Sequence, residues 1–175
     1  MKVVAPSHEA IAVLRAISQA GFGYQRAKDL CRAARWELVD DELDLGYVAF
    51  EMGAAPGQDF PRRLAVEVME SGRPPGAFVP LFYFEDYDVE REPFDRAFQS
   101  LSEQLVVVLG PPSSSGDYTY LHRTGWRYFY TWWSLPDAAL VLVQDEFDIQ
   151  FGMDVTLWVL PADAPITVPV TLKGN

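Results

Sequence analysis

The spacing of apolar residues changes character three times along this chain, and each change limits what the segment on either side can become. Ile11, Leu14 and Ile17 recur at three-residue steps between Ser7, a good helix N-cap, and Gly21, a residue favoured just past a helix end. The spacing predicts a helix over 8–20. A second helix is expected over 24–36, offering Ala27, Leu30, Cys31 and Ala34 to a core. From Gly46 the pattern alternates instead, predicting strands over 46–52 and 63–69 that pair as a hairpin around the Gly53–Gly57 loop. A third strand, 77–84, is interrupted by Pro80, which suits an edge or a bulge.

Helical spacing then returns. Pro93 opens a segment in which Phe94, Ala97, Phe98, Leu101, Leu105 and Val108 share one face, and Gly110-Pro111-Pro112 stops it. The predicted helix, 93–109, is the longest in the chain. After a flexible connection at Ser113–Asp117 the remainder reads as strands over 118–123, 126–133, 138–144 and 155–160, separated by short turns. Short separations favour antiparallel neighbours, so this half is expected to form a meander beneath helix 93–109. The expected class is α+β, a mainly antiparallel sheet packed on one long amphipathic helix, with two N-terminal helices.

A chain of 175 residues, 49% of them apolar, has enough length and apolar surface for one buried core. The organisation expected is therefore a single domain over 1–175. Within it, 1–36 is a helical segment, and 161–175, which holds Pro165 and Pro169, is an extended or partly disordered tail. Cys31 is the only cysteine and makes no internal disulfide, so a cytoplasmic location is the default. Pro6 to Glu9 interrupt any apolar leader, and no apolar run approaches the ~20 residues of a membrane span. A soluble protein without a membrane partner is expected.

Charge is distributed unevenly along this frame. Residues 1–35 carry six Lys/Arg and two Asp/Glu; the remaining chain carries eight and twenty-three, for a net charge of −11. Charge of this size bears on encounter and partner sign, not on fold. It argues against nucleic acid, whose binding needs clustered cations to displace counterions, and the N-terminal cations (Lys2, Arg15, Arg26, Lys28, Arg32, Arg35) are spread over two helices.

Three acidic clusters fall where the chain is expected to turn: Asp40, Asp41, Glu42 and Asp44; Glu85, Asp86, Asp88 and Glu90; and Asp145, Glu146 and Asp148. One reading is solvated turns. A second is a partner-facing surface formed where the clusters converge at one end of a sheet, since loops commonly carry function. A third is divalent-metal binding at Asp86-x-Asp88, but the glycine and distal glutamate of a calcium loop are missing. The sequence 126–133 adds a dense aromatic strand. Alternation puts Trp126, Tyr128, Tyr130 and Trp132 on one face and Arg127, Phe129 and Trp133 on the other. One face must be core; the other is covered by a helix or exposed as an anchor surface, with Trp132 and Trp133 the candidate anchors.

Nothing in the sequence marks an active site. The two histidines, His8 and His122, have no nucleophile or metal-ligand spacing around them, Cys31 reads as a small apolar helix residue, and no glycine-rich phosphate loop follows a strand. No cofactor and no metal is expected.

From helix 93–109 onward, the helix stop Leu109-Gly110-Pro111-Pro112, then Trp126 and Trp132-Trp133, the apolar Leu140-Val141-Leu142 and finally Val155-Thr156-Leu157-Trp158-Val159 follow an order that resembles a group of small uncharacterised bacterial domains, some of them suspected immunity proteins. The resemblance implies shared architecture and transfers no functional residue. The leading expectation is a non-enzymatic acidic protein-binding domain, immunity- or antitoxin-like, that neutralises a basic protein surface such as a toxin's. The alternatives are a secretion-chaperone-like dimer that holds a client segment, and a carboxylate-dependent metal enzyme using Asp86 and Asp88 as ligands or bases.

Overall fold

Ser7 caps the first helix through its side chain: Oγ accepts a hydrogen bond from the Ala10 amide at 3.2 Å, satisfying one of the donors a helix start leaves open. In the computed structural model, which describes residues 3–43, 46–52, 65–71, 73–83, 90–119, 126–145, 153–168 and 170, this helix is α1 (His8–Gln19). It ends where Gly21 and Phe22 adopt positive φ. Helix α2 (Tyr24–Ala33) follows, and the chain leaves it through Arg35 at φ 61°, with the Trp36 amide bonded back to the Cys31 carbonyl.

Strands β1 (Glu37–Glu42), β2 (Tyr47–Glu51), β3 (Ala65–Met69) and β4 (Gly76–Tyr83) come next, each antiparallel to the one before. Helix α3 (Arg91–Leu109) then precedes β5 (Ser114–Thr119), β6 (Arg127–Ser134), β7 (Ala139–Asp145) and β8 (Asp154–Leu160), a second antiparallel meander. Pairing of β4 with β8 joins the two meanders into one sheet, which among the described residues has eight strands in the order β1-β2-β3-β4-β8-β7-β6-β5. The architecture is α+β, with α3 packed on the sheet and α1 and α2 on the same face.

That face carries the main core. Ile11, Leu14 and Ile17 of α1, Ala27 and Cys31 of α2, and Phe94, Phe98, Leu101 and Leu105 of α3 are all buried against it, as their helical spacing predicts. The Phe94 and Tyr128 rings meet edge-on, and Ser102 hydrogen-bonds Thr131, which places α3 over β6. The opposite face has no helix on it among the described residues. Its core is a second cluster built from Phe78, Trp132, Val141, Val143, Trp158 and Leu160, and the C-terminal segment covers it, with Val170 buried there and Ala164 packed alongside. Residues 161–168 contain a turn but no helix or strand.

Three local expectations change and one resolves. The acidic run at 37–42 is a strand rather than a turn, because β2 offers it a paired edge. The supposedly flexible Ser113–Asp117 connection is largely strand β5, lying along β6 with Ser115 opposite Thr131. Of the two settings expected for Pro80, an edge or a bulge, the structure has the bulge: β4 is an interior strand, and its register shifts between Pro80 and Phe82. Trp132 and Trp133 are both buried, one on each face, so neither is an exposed anchor. The indole of Trp133 donates to the Gly110 carbonyl at 3.0 Å, tying β6 to the end of α3.

Candidate interaction surface

Among the described residues strand β1 ends the sheet on one side, with no strand paired to its outer edge. Leu38, Val39 and Leu43 are 44%, 58% and 48% exposed, half of the large apolar side chains that are exposed among the described residues. The register shifts between Leu38 and Asp40, so Val39 is an extra residue at a bulge. Carboxylates stand among these aliphatic groups. Asp41 accepts an ion pair from Lys28 of α2 at 2.8 Å, on the helix side, whereas Asp40 accepts a hydrogen bond from the Tyr47 hydroxyl at 3.1 Å.

Asp40 begins a cross-strand row on the face away from the helices. Its partner on β2 is Ala49, the partner of Ala49 on β3 is Glu67, and Glu67 lies opposite Phe78 of β4. Burial raises the Glu67 pKa, and the nearby Asp40 charge raises it further. The two carboxylates are close enough to repel, with only the Ala49 methyl between their strands.

The other predicted site residues are dispersed. Glu90 is at the N-cap position of α3 without a side-chain cap bond, Glu42 lies on β1, and Asp44, Glu85, Asp86, Asp88, Glu146 and Asp148 lie outside the described residues. Asp145 is at the end of β7, five strand positions from β1, which at ~4.8 Å per strand is roughly 24 Å. It is also 1% exposed. Asp40 and Asp145 therefore do not share one negative face, and Asp145 is withdrawn as a partner contact. Asp117 and Arg127 pair across β5 and β6, which cancels the charge at the far edge of the sheet.

Sequence reasoning missed the environment of Asp145. Its cross-strand neighbour is Asp154, 8% exposed, and a second carboxyl at this position is visible in the sequence only once the β7–β8 register is known. Burial pushes the Asp154 carboxyl well above the usual range, and the Asp145 charge adds to that effect. Asp154 Oδ1 is buried without a hydrogen-bond partner among the described residues, and the neighbouring Thr156 hydroxyl offsets only part of the shift. Both carboxyls are buried, at the end of the strands whose Val143 and Trp158 belong to the second cluster.

Cys31 is buried in α2, and desolvation pushes its thiol up to about 12, a poor nucleophile. His8 is exposed in the first turn of α1, and His122 lies outside the described residues. Among the described residues no three His, Cys, Asp or Glu side chains are grouped to hold a metal ion, and no helix is long and apolar enough to cross a membrane. Comparison with protein-family models, curated proteins and solved structures finds no match to this chain.

Proposed function

We propose that this chain is a non-enzymatic acidic protein-binding domain of the immunity or antitoxin kind, which neutralises a basic protein partner in the bacterial cytoplasm. The observation that carries the reading is the β1 edge, where exposed Leu38, Val39 and Leu43 stand beside the carboxylates of Asp40 and Asp41, with no further strand along the outer side among the described residues. Exposed aliphatic groups favour contact through burial, while the carboxylates select the sign of what arrives. The net charge of −11 extends that selection over the encounter, because long-range attraction raises association rates for oppositely charged partners.

Of the three acidic clusters, the first now carries the proposal, and tight contact falls to the aliphatic groups in place of Trp132 and Trp133. The test is association kinetics with the protein that copurifies with this chain from its native cells. That protein is expected to be basic, and its association rate constant to fall at least about tenfold between roughly 0.05 and 0.5 M salt, while dissociation changes less. Copurification of nothing, or rates indifferent to salt, overturns the reading.

A further inference from the structure

We propose that the surface formed by α2 and β1 pairs with the same surface on a second copy of this chain. The two copies are related by a twofold axis along the seam between α2 and β1, beside Leu38, so that α2 of each lies against β1 of the other. The inference goes beyond the protein-binding reading because it needs no foreign partner, and it makes the second copy what a basic partner displaces. A twofold contact uses one patch twice, so the patch must complement itself.

Charge meets that condition. From 24 to 35 the chain carries Arg26, Lys28, Arg32 and Arg35 against Asp29, whereas β1 carries Glu37, Asp40, Asp41 and Glu42 and no cation. Residues 24–42 therefore hold four cations and five acids, nearly balanced in a chain whose net charge is −11. A row of cations beside a row of carboxylates attracts its own copy when a half rotation about the seam sets each row over the opposite one. The remaining negative charge lies farther along the sheet and is screened over about 8 Å at physiological salt.

Geometry brings the two rows together. The bulge at Val39 leaves Leu38 opposite Phe50 and Asp41 opposite Val48, and both Phe50 and Val48 belong to the main core, so Leu38 and Asp41 share the side on which α2 lies. Lys28 reaches Asp41 from α2 at 2.8 Å, and Arg32 stands one turn further along the same face of that helix. These groups remain accessible. With Lys28 in place the Asp41 side chain is still 41% exposed, and the Arg32 side chain is 74% exposed with a long 3.6 Å contact to Asp29. Exposed Leu38 and Val39 stand between the charges, giving the apolar middle and polar rim of a small interface.

The test is the mass of the full chain by sedimentation equilibrium from about 1 to 200 µM at about 0.15 M salt. A monomer–dimer equilibrium is expected, weakened at least about tenfold by Val39→Asp in the apolar middle and by either charge reversal, Arg32→Glu or Asp41→Lys. Mixing the Arg32→Glu and Asp41→Lys variants is expected to restore a heterodimer, because each reversed charge then meets its opposite on the other copy. All three substituted side chains are exposed, and a thermal melt of each variant establishes that it is folded before its mass is read. A monomer throughout, a dimer indifferent to Val39→Asp, or reversed variants that do not rescue one another overturns this contact. Salt-dependent association with the native partner is a separate measurement, so the protein-binding reading stands or fails on its own.

Discussion

Asp154 shows how much a single side chain depends on the strands around it. In sequence it is one acid among twenty-five; in the fold it is buried opposite Asp145 and its pKa is raised, chiefly by desolvation. A raised carboxyl pKa means the folded protein holds a proton that the unfolded chain releases above about pH 4. Stability is therefore greatest below the unfolded pKa, falls as pH rises, and levels off once the folded pKa is passed. Asp154→Asn keeps the shape of the side chain and removes this titration, so denaturant midpoints measured from pH 4 upward are expected to decline less in the variant than in the parent. An equal decline in both would show that Asp154 is not the group responsible. Trp132 makes the converse point. Its aromatic neighbours suggested an exposed anchor, but it fills the second cluster, and Trp132→Ala is expected to cost about 3–5 kcal/mol in chemical denaturation with loss of the tertiary near-ultraviolet signal.

Among the elements, helices were read from the sequence with little loss and strands with more. A helix buries a face defined by residues three and four apart, so Ile11, Leu14 and Ile17, or Phe94, Leu101 and Leu105, declare their burial without reference to any other segment. The caps are equally local, and Ser7→Ala is expected to destabilise the protein by about 0.5–2 kcal/mol in urea titration through loss of the bond from the Ala10 amide. Strands depend on what lies beside them. β1 is acidic along much of its length and β5 begins Ser-Ser-Gly-Asp, compositions that favour turns, yet each is held as a strand by pairing with one neighbour. Pro80 is tolerated inside the sheet because a bulge follows it; local propensity allows an edge or a bulge there and does not choose between them.

For the whole molecule, the decisive arrangement is a sheet with three helices on one face and the chain's own C-terminal segment on the other. The second cover is testable. Val170→Asp places a charge in the cluster around Trp132 and Trp158, and is expected to lower the thermal midpoint and increase binding of a hydrophobic dye such as ANS at temperatures where the parent stays dark. An unchanged midpoint would show that the segment contributes little to covering that face. The sequence by itself determined the class of the fold, the three helices, the hairpin of β2 and β3 and the antiparallel succession of β6, β7 and β8, because each follows from periodicity and short connections within one stretch of chain. The sign of the net charge is equally legible there, since charge is counted without coordinates. Only the tertiary structure decided that β4 pairs with β8, that Asp40 and Glu67 share a row while Asp145 is buried about five strands away, and that Trp132 faces the tail instead of a partner. These are contacts between segments far apart in sequence, and their register is selected by the packing of both faces at once, a condition that no local pattern contains.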